Sequence, residues 1–535
     1  MTDDVRRVAR ETFGWDELRP GQEQAMAAVA AGRDALVVMP TGAGKSAIYQ
    51  VPAVLLDGPT VVVSPLLSLQ RDQVASLLGH GAETVAVSAN SLQSASETDE
   101  AYDAIHGGAA EFLFLSPEQL AKPSVIERLL RLRPSLIAVD EAHCVSAWGH
   151  DFRPDYLRLG DAIRALGHPP VVALTATAAP PVREEIIERL GLRDPVEVVR
   201  GFERANIFLE VRGEFRTDAD KRAAVVLTVA SEAKPSILYV ATRRDADAYA
   251  EELGGLGLAA AGYHAGLRAA DRRRVHDDFR SDAVDVVVAT NAFGMGIDKA
   301  NVRTVVHASA PESLDSYYQE AGRAGRDGET ARAVLFFRGA DLALRRFFAS
   351  GSLDADVVRG LLGQLSGGAV AVTELHRRTG LSAGRITHAL NVLESVGAAR
   401  SSPHGWLATG MAVDDTVGAA GARAQARIAV DKSRVEMMRA YADTLGCRWQ
   451  FLLGYFGESR EGPCGHCDRC AAGTATLATP VDAPYAVQSR VRHASWGDGM
   501  VMAYDGEQMT VLFDEVGYKT LLLPAVQAQG LLEPA

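Results

Sequence analysis

The chain has no apolar run of about 18 residues or more, so nothing in it reads as a membrane span. Its first residues, MTDDVRRVARETFGW, hold no apolar core of the kind a secretion signal needs, which points to the cytoplasm. Cysteine is scarce. Four of the five cysteines are clustered (Cys447, Cys464, Cys467 and Cys470) and Cys144 stands alone. In a cytosolic chain that distribution speaks against a disulfide framework and for a metal site. Cys144 reads as a small buried hydrophobe. An excess of positive charge is missing as well: 55 Lys and Arg against 68 Asp and Glu give a formal net charge of -13. That total weighs against a polyanionic partner but leaves local basic patches open.

At about 100–200 residues per domain, 535 residues imply three to five domains. Short β-branched runs recur at DALVVM (34–39), TVVVS (60–64), EFLFLS (111–116), LIAVD (136–140) and VVALT (171–175). A second series is SILYV (236–240), DVVVAT (285–290), TVVHA (304–308) and AVLFF (333–337). Each run is followed by a polar or Gly/Pro turn, as buried parallel strands are. Two successive βαβ series predict two α/β domains, 1–205 and 206–345.

The pattern then changes. TELHRRTGLSAGRITHALNVLESVGAAR (373–400) reads as helix, Gly-containing turn and helix, and SSPHGWLA as a hairpin. Together they outline a winged helix over 352–412. A helical stretch leads into the cysteines (422–472), a small-residue linker covers 473–485, and 486–535 alternates apolar and polar residues around Gly-Asp-Gly and Asp-Gly turns, as a small β-barrel does.

The run ending at Met39 passes into PTGAGKS (40–46) and then a helix. Backbone N–H groups of Thr41, Gly42, Ala43 and Gly44 in such a loop can cradle phosphates at a helix N-terminus. Lys45 neutralises the β- and γ-phosphates and Ser46 holds Mg²⁺. Met39 stands where the strict phosphate-loop pattern has Gly. Asp140, Glu141, Ala142 and His143 follow LIAVD, where a doubly wound sheet binds ligands. Asp140 suits the metal and Glu141 the attacking water; taken alone, the pair also fits an acidic helix cap. In YYQEAGRAGRDG (317–328), Arg323 and Arg326 share a helix face if the segment is helical, and reach a γ-phosphate as arginine fingers. A surface basic patch fits that segment equally well.

With these pieces in order, the chain resembles the superfamily 2 helicases, and RecQ in particular. FGWDELRPGQ (13–22) resembles the adenine-recognition motif, which implies Trp15 and Arg19 around the base and Gln22 on its edge. PTGAGKS resembles motif I, VSPLLSLQRDQ (63–73) motif Ia, DEAH motif II, LTATA (174–178) motif III, and QEAGRAGRDG motif VI, with Gln319 toward the nucleotide and Arg326 as the better finger. YHAGL (263–267) and VATNAFGMGIDK (288–299) resemble second-lobe motifs. SAWGHDFRPDY (146–156) resembles the aromatic-rich loop of RecQ enzymes, which implies that Trp148, Phe152 and Arg153 contact single-stranded DNA. Aromatic faces stack on bases without sequence preference, and Arg binds phosphate. A core-filling Trp and Phe is the other reading. The resemblance spans about residues 10–340 and 425–470. It implies two tandem RecA-like lobes, ATP hydrolysis with Mg²⁺, 3′→5′ unwinding of duplex or branched DNA in repair and recombination, and a place near the nucleoid.

Four thiolates in C-x-x-C spacing suit tetrahedral Zn²⁺, with an iron–sulfur cluster as the alternative and His466 as an exposed non-ligand. RecQ enzymes place a winged helix after the zinc domain, whereas here the winged-helix-like segment precedes it. Arg385, His388 and Asn391 lie on the polar face of its second helix, and DNA and protein remain equal candidates for its partner. The end, RVRHASWGDGMVMAYDGEQMTVLFDEVGYKTLLL, resembles the SH3- or Tudor-like module of UvrD/PcrA-type helicases, with a protein such as RNA polymerase as partner. An RNA helicase and a non-catalytic DNA scaffold are the rival functions. The aromatic loop and cysteines favour DNA over RNA, and Lys45, Glu141 and Arg326 favour a motor over a scaffold.

Overall fold

Strands buried on both faces need no polar alternation, and each residue then feeds one of two cores. The computed structural model shows this directly. It describes residues 2–65, 70, 73–74, 77, 86–90, 93–120, 122–146, 153–294, 299–343, 353–402, 405–475 and 483–535. In β1 (Ala35–Val38), Leu36 and Val38 enter one apolar cluster while Ala35 and Val37 enter another on the opposite face.

The first lobe is a seven-stranded sheet. With β2 (Thr60–Val63), β3 (Ala86–Ala89), β4 (Phe112–Leu115), β5 (Leu136–Val139), β6 (Val171–Thr175) and β7 (Val196–Val199), its order is β3-β4-β2-β5-β6-β1-β7, and the pairs are parallel. The second lobe has β8 (Ile207–Arg212), β9 (Ser236–Tyr239), β10 (Ala260–Tyr263), β11 (Val286–Ala289), β12 (Thr304–His307) and β13 (Ala331–Phe336). Its order is β10-β11-β9-β12-β13-β8, again parallel. Both are RecA-like sheets. All nine strands expected from apolar runs are present. Four more, β3, β7, β8 and β10, form the outer edges of the two sheets.

Helices Ala355–Leu365, Val372–Thr379 and Ala383–Ser395 precede a two-stranded antiparallel ribbon, β14 (Ala399–Ser402) and β15 (Gly405–Ala408). They enclose their own core of Leu361, Leu375, Ile386, Leu390 and Trp406. A 31-residue helix, Val413–Asp443, then runs about 46 Å and begins ahead of the expected zinc-region start at 422. Helix Arg448–Tyr455 follows, and the cysteines come next.

The last strands are β16 (Arg490–His493), β17 (Gly497–Asp505), β18 (Gln508–Phe513), β19 (Gly517–Leu522) and β20 (Leu532–Pro534). They form an antiparallel sheet of order β19-β18-β17-β16-β20. Where the sequence suggests a barrel, this sheet is open: β19 and β20 end it without pairing to each other. Nor does the sheet hang free. Met500, Met502, Leu512 and Tyr518 belong to the same apolar cluster as Leu452, Tyr455, Tyr441 and the inner faces of both lobes. Tyr518 stacks on Tyr455 at 5.0 Å, and its N–H donates to Ser433 Oγ at 2.9 Å. Thr444 Oγ1 donates to Asp505 Oδ2 at 2.7 Å. Burial has replaced closure in this sheet, because one of its faces is covered by the neighbouring helices.

This packing makes the sheet part of the fold's core. Tyr518→Ala is expected to lower unfolding free energy by about 3 kcal/mol, as large aromatic truncations in cores do. Trp496→Ala, at the half-buried His493–Trp496 stack of the same sheet, is expected to cost no more than about 1 kcal/mol. Denaturant midpoints of the two variants check this, and equal small shifts would mean the sheet is a free appendage.

Candidate nucleotide cleft and metal centre

The phosphate loop leaves β1 at Met39, whose N–H bonds Thr175 O at 3.1 Å. Met39 is buried, and its Cε lies against Gly21, so it fills core beneath the loop instead of taking part in the turn. Gly42 and Gly44 have φ of 81° and 76°, which side chains with a Cβ disfavour. Neighbours also come close here: a Cβ on Gly44 would meet the end of the Gln22 side chain, Nε2, at 2.7 Å, and one on Gly42 would meet Arg326 Cγ at 3.1 Å. The second of these is a contact between lobes. Arg326 of lobe 2 lies on the phosphate loop of lobe 1.

Lys45 turns back on its own loop, with Nζ 3.2 Å from Met39 O and 3.4 Å from Pro40 O. Burial lowers its pKa, against the raising influence of Glu141 and Asp140 and together with a lowering one from Arg326. Asp140 shifts the other way, raised by burial and held down by Lys45. Its Oδ2 accepts from Gln73 Nε2 at 3.2 Å and its carbonyl from the Tyr156 hydroxyl at 3.0 Å. Glu141 has φ 49° and ψ 46°, a left-handed conformation costing roughly 1–2 kcal/mol for a residue with a Cβ. His143, 1% exposed, lies 3.3 Å from Glu141 Oε2 and 2.9 Å from Thr175 Oγ1. Thr177 N–H also donates to Thr175 Oγ1, and Thr177 Oγ1 accepts from Gln319 Nε2 at 3.3 Å. Contacts thus run from Glu141 through the β6 turn to the second lobe. Cys144 is fully buried beside His143.

Trp15 stacks on Phe13 at 4.7 Å. Arg19 donates to Gly42 O, and Gln22 joins the Arg19 N–H to the carbonyls of Ala43 and Gly44. Ser46 opens the helix Ala47–Leu55. Of the aromatic loop, Trp148 and Phe152 lie outside the described residues. Its flanks are anchored: Ser146 Oγ donates to Glu185 at 2.7 Å, Arg153 Nη1 donates to Pro65 O at 3.2 Å, and Tyr156 reaches Asp140 as above.

The two arginines of YYQEAGRAGRDG part company. The helix Leu314–Ala321 ends before them, and residues 322–328 are turns, so they share no helix face. Arg323 is buried inside lobe 2 beside Tyr239, whereas Arg326 is half-buried on the cleft. Sequence reasoning missed Arg204, in the connector between lobes. It donates to Thr41 O of the phosphate loop at 3.2 Å and to carbonyls of the Arg326 turn. A lone arginine in a loop carries no pattern that would have marked it.

The Sγ atoms of Cys447, Cys464, Cys467 and Cys470 lie within 4.8 Å of one another, and Cys464 to Cys470 is 3.7 Å. Four sulfurs at ~2.3 Å from a tetrahedral Zn²⁺ sit ~3.8 Å apart, so the donor set fits zinc, and the separation is far beyond a disulfide. Backbone N–H groups of Cys464 and His466 point at Cys447 and Cys464 sulfurs at 3.4 and 3.3 Å. His466 stays outside the sulfur set, as expected, but it is half-buried, packed on Trp449 and 3.4 Å from Glu203. Arg448, 1% exposed, makes a two-pronged pair with Asp468 at 2.9 and 3.1 Å. Asp468 also accepts from Val211 N, Trp449 Nε1 donates to Ile207 O at 3.3 Å, and Phe202 stacks on Phe456 at 4.6 Å. Arg183 of lobe 1 donates to Phe456 O at 2.9 Å. The metal region is joined to both lobes.

Comparison with known proteins agrees with this geometry. Residues 19–186 match the DEAD/DEAH box helicase family, 220–328 the helicase conserved C-terminal domain, and 412–471 the RecQ zinc-binding family. The ATP-dependent DNA helicase RecQ of Haemophilus influenzae is 35% identical over 86% of this chain and 63% of its own length. The probable ATP-dependent DNA helicase RecS of Bacillus subtilis is 40% identical over 64% of this chain and 68% of its own. The chain spans about a third to two thirds of the length of the curated relatives it matches. A solved structure of Mycobacterium smegmatis helicase Lhr, bound to single-stranded DNA and AMP-PNP, shares the fold with a TM-score of 0.53 at 22% identity, covering 78% of this chain and 62% of that one. With two RecA-like sheets, a phosphate loop facing an arginine of the second lobe, and a four-cysteine zinc region in the family's order, the chain belongs to the RecQ family of helicases.

Proposed function

We propose that this chain is an ATP-driven DNA helicase that hydrolyses ATP between its two lobes and moves along single-stranded DNA. The observation that carries this reading is Arg326 lying on Gly42, with Lys45, Asp140 and Glu141 in the same cleft. A triphosphate there meets a cation from each lobe. Lys45 and Arg326 stabilise charge on the transferring phosphoryl group. Ser46 and Asp140 would hold Mg²⁺, which would supply further charge neutralisation. Water attacks the γ-phosphorus and gives its proton to Glu141. The bond to the β–γ bridging oxygen breaks and ADP leaves with that electron pair. His143 and the Thr175–Thr177 turn connect Glu141 to Gln319, so closure of the cleft orders the hydrolytic side. Trp15, Arg19 and Gln22 take the adenine, the last two from beside the loop carbonyls to which they donate.

Trp148, Phe152 and Arg153 grip DNA from a loop whose far end is tied to Asp140 through Tyr156, which links DNA occupancy to hydrolysis. Family membership supports 3′→5′ movement, work on branched DNA in repair and recombination, and a cytoplasmic, nucleoid-associated place. The domain limits 1–205, 206–345, 352–412, 422–472 and 486–535 belong to this reading. The segment 352–412 is read as a winged helix presenting Arg385, His388 and Asn391 to DNA. The C-terminal sheet is read as an open SH3- or Tudor-like module whose partner is a protein such as RNA polymerase. A pull-down unaffected by deletion of 486–535 ends that last part.

Lys45→Ala is expected to cut DNA-stimulated phosphate release at least ~10³-fold, the scale on which charge-stabilising groups act in phosphoryl transfer. Single-stranded DNA is expected to stimulate the wild-type rate and RNA of equal length to do so far less. Equal stimulation by both would favour the RNA-helicase reading, and an unchanged rate in Lys45→Ala the scaffold.

The metal site gives a second expectation. Elemental analysis should find zinc and not iron, and Cys464→Ser should lose it. Because Asp468 and Trp449 tie this region to β8, metal loss is expected to lower the unfolding midpoint of the whole chain. Stoichiometric iron would establish the cluster alternative.

A further inference from the structure

The connector between the lobes does more than join them. Arg204 lies in it and spends both terminal nitrogens on backbone carbonyls. Nη1 donates to Thr41 O at 3.2 Å and Gly322 O at 3.3 Å, and Nη2 to Ala324 O at 3.2 Å and Gly325 O at 2.7 Å. Thr41 is phosphate loop; Gly322, Ala324 and Gly325 form the turn that carries Arg326. Two neighbours grip the same turn and its helix. Asn206 Nδ2 donates to Gly325 O and Glu329 O, both at 2.8 Å, and the Tyr318 hydroxyl donates to Phe202 O at 2.8 Å. The turn follows a helix C-terminus, where carbonyls lack helical partners and a cation is favoured. Gly325, at φ 56°, lets the chain bend there so that its carbonyl meets both connector residues.

We propose that Arg204 is a positioning residue for hydrolysis: it ties the turn carrying Arg326 to the Thr41 carbonyl of the phosphate loop and so sets where the finger side chain meets the γ-phosphate. This rests on the reading of the cleft as an ATP site with Arg326 as its finger. Arg204 itself does not touch phosphate in this role. Its four Nη hydrogens are taken by carbonyls, and only Nε–H remains. The planar fork is what spans two lobes. An ammonium is a point donor, and lysine at this position reaches one side of the seam.

Steady-state ATP hydrolysis by the full chain, saturated with a single-stranded DNA oligonucleotide, tests this with Arg204→Ala, Arg204→Lys, Arg326→Ala and the Arg204→Ala/Arg326→Ala pair. Arg326→Ala is expected to lower kcat ~10³-fold or more. Arg204→Ala should lower kcat ~10–100-fold, the scale of misplacing a reacting group by about 1 Å. Its KM for ATP should stay within about 3-fold, since the lost interaction acts in the transition state. Arg204→Lys should resemble the alanine variant. The pair should be no slower than Arg326→Ala alone, because one residue acts through the other. Multiplying defects in the pair, or a raised KM with unchanged kcat, overturns the proposal. Should Arg204→Ala not fold, the same cycle with Arg204→Lys decides it. A fully active Arg326→Ala would instead remove the reading of the cleft on which this rests.

Discussion

The contact of Arg326 with Gly42 is the constraint around which the cleft is organised. It places a cation of one lobe against the phosphate loop of the other, near Lys45. Two cations at close range in a partly buried seam repel, and the cost rises as the effective dielectric falls. Asp140 and Glu141 offset part of this, which is why burial pulls Lys45 down while the two carboxylates pull it up, and why Lys45 holds Asp140 down against its own burial. In the proposed mechanism a triphosphate in the cleft would relieve the remainder, and the seam would loosen once it is cleaved and part of its charge departs.

What surrounds the cleft is less modular than the order of segments along the chain implies. The inner faces of both sheets, the long helix, the zinc region and one face of the C-terminal sheet share one apolar cluster. At its centre the Tyr455 hydroxyl reaches Asp315 Oδ2 of lobe 2 at 2.5 Å, while Tyr441 and Tyr317 meet through their hydroxyls at 3.3 Å. Zinc held by the four cysteines would fix the short loops that present Trp449 and Asp468 to β8. Its structural effect would therefore reach the lobe through groups one or two residues from the sulfurs.

How legible this was in the sequence depended on how strongly burial marks residues. The nine interior strands are uninterrupted apolar runs because both their faces are covered. The four missed strands are the sheet edges, and their burial is mixed: Val196–Val199 carries Glu197, Ile207–Arg212 carries Glu210 and Arg212, Ala260–Tyr263 includes Gly262, and Ala86–Ala89 is half-exposed in its middle. The phosphate loop, DEAH and the cysteines were legible because their chemistry fixes residue type and spacing together. Met39 looked like a defect in the loop pattern and is a core side chain beneath it. Arg323 and Arg326 looked equivalent by spacing, yet the helix stops at Ala321 and the turn sends one inward and one to the cleft. Arg204 was invisible because its partners are backbone carbonyls, which leave no trace in the residue identities around it.

The segment 353–408 differs from the zinc region in how it is held. It has its own core, and it meets lobe 1 where Arg158 pairs with Glu394 at 3.2 Å and lies over Trp406 at 5.3 Å. Both partners of that pair are about a quarter exposed, and such pairs contribute roughly 0–1 kcal/mol. The zinc region, in contrast, is fixed by the almost fully buried Arg448, stacked aromatics and backbone bonds to β8. The segment's tie to lobe 1 runs through Arg158, which meets both Glu394 and Trp406. Arg158 closes the short helix Pro154–Arg158 at the far end of the aromatic-rich run, whose own anchors, Arg153 on Pro65 O and Tyr156 on Asp140 O, lie within lobe 1. Chain order, which places this segment before the zinc region, then matters less than the surface on which it comes to rest.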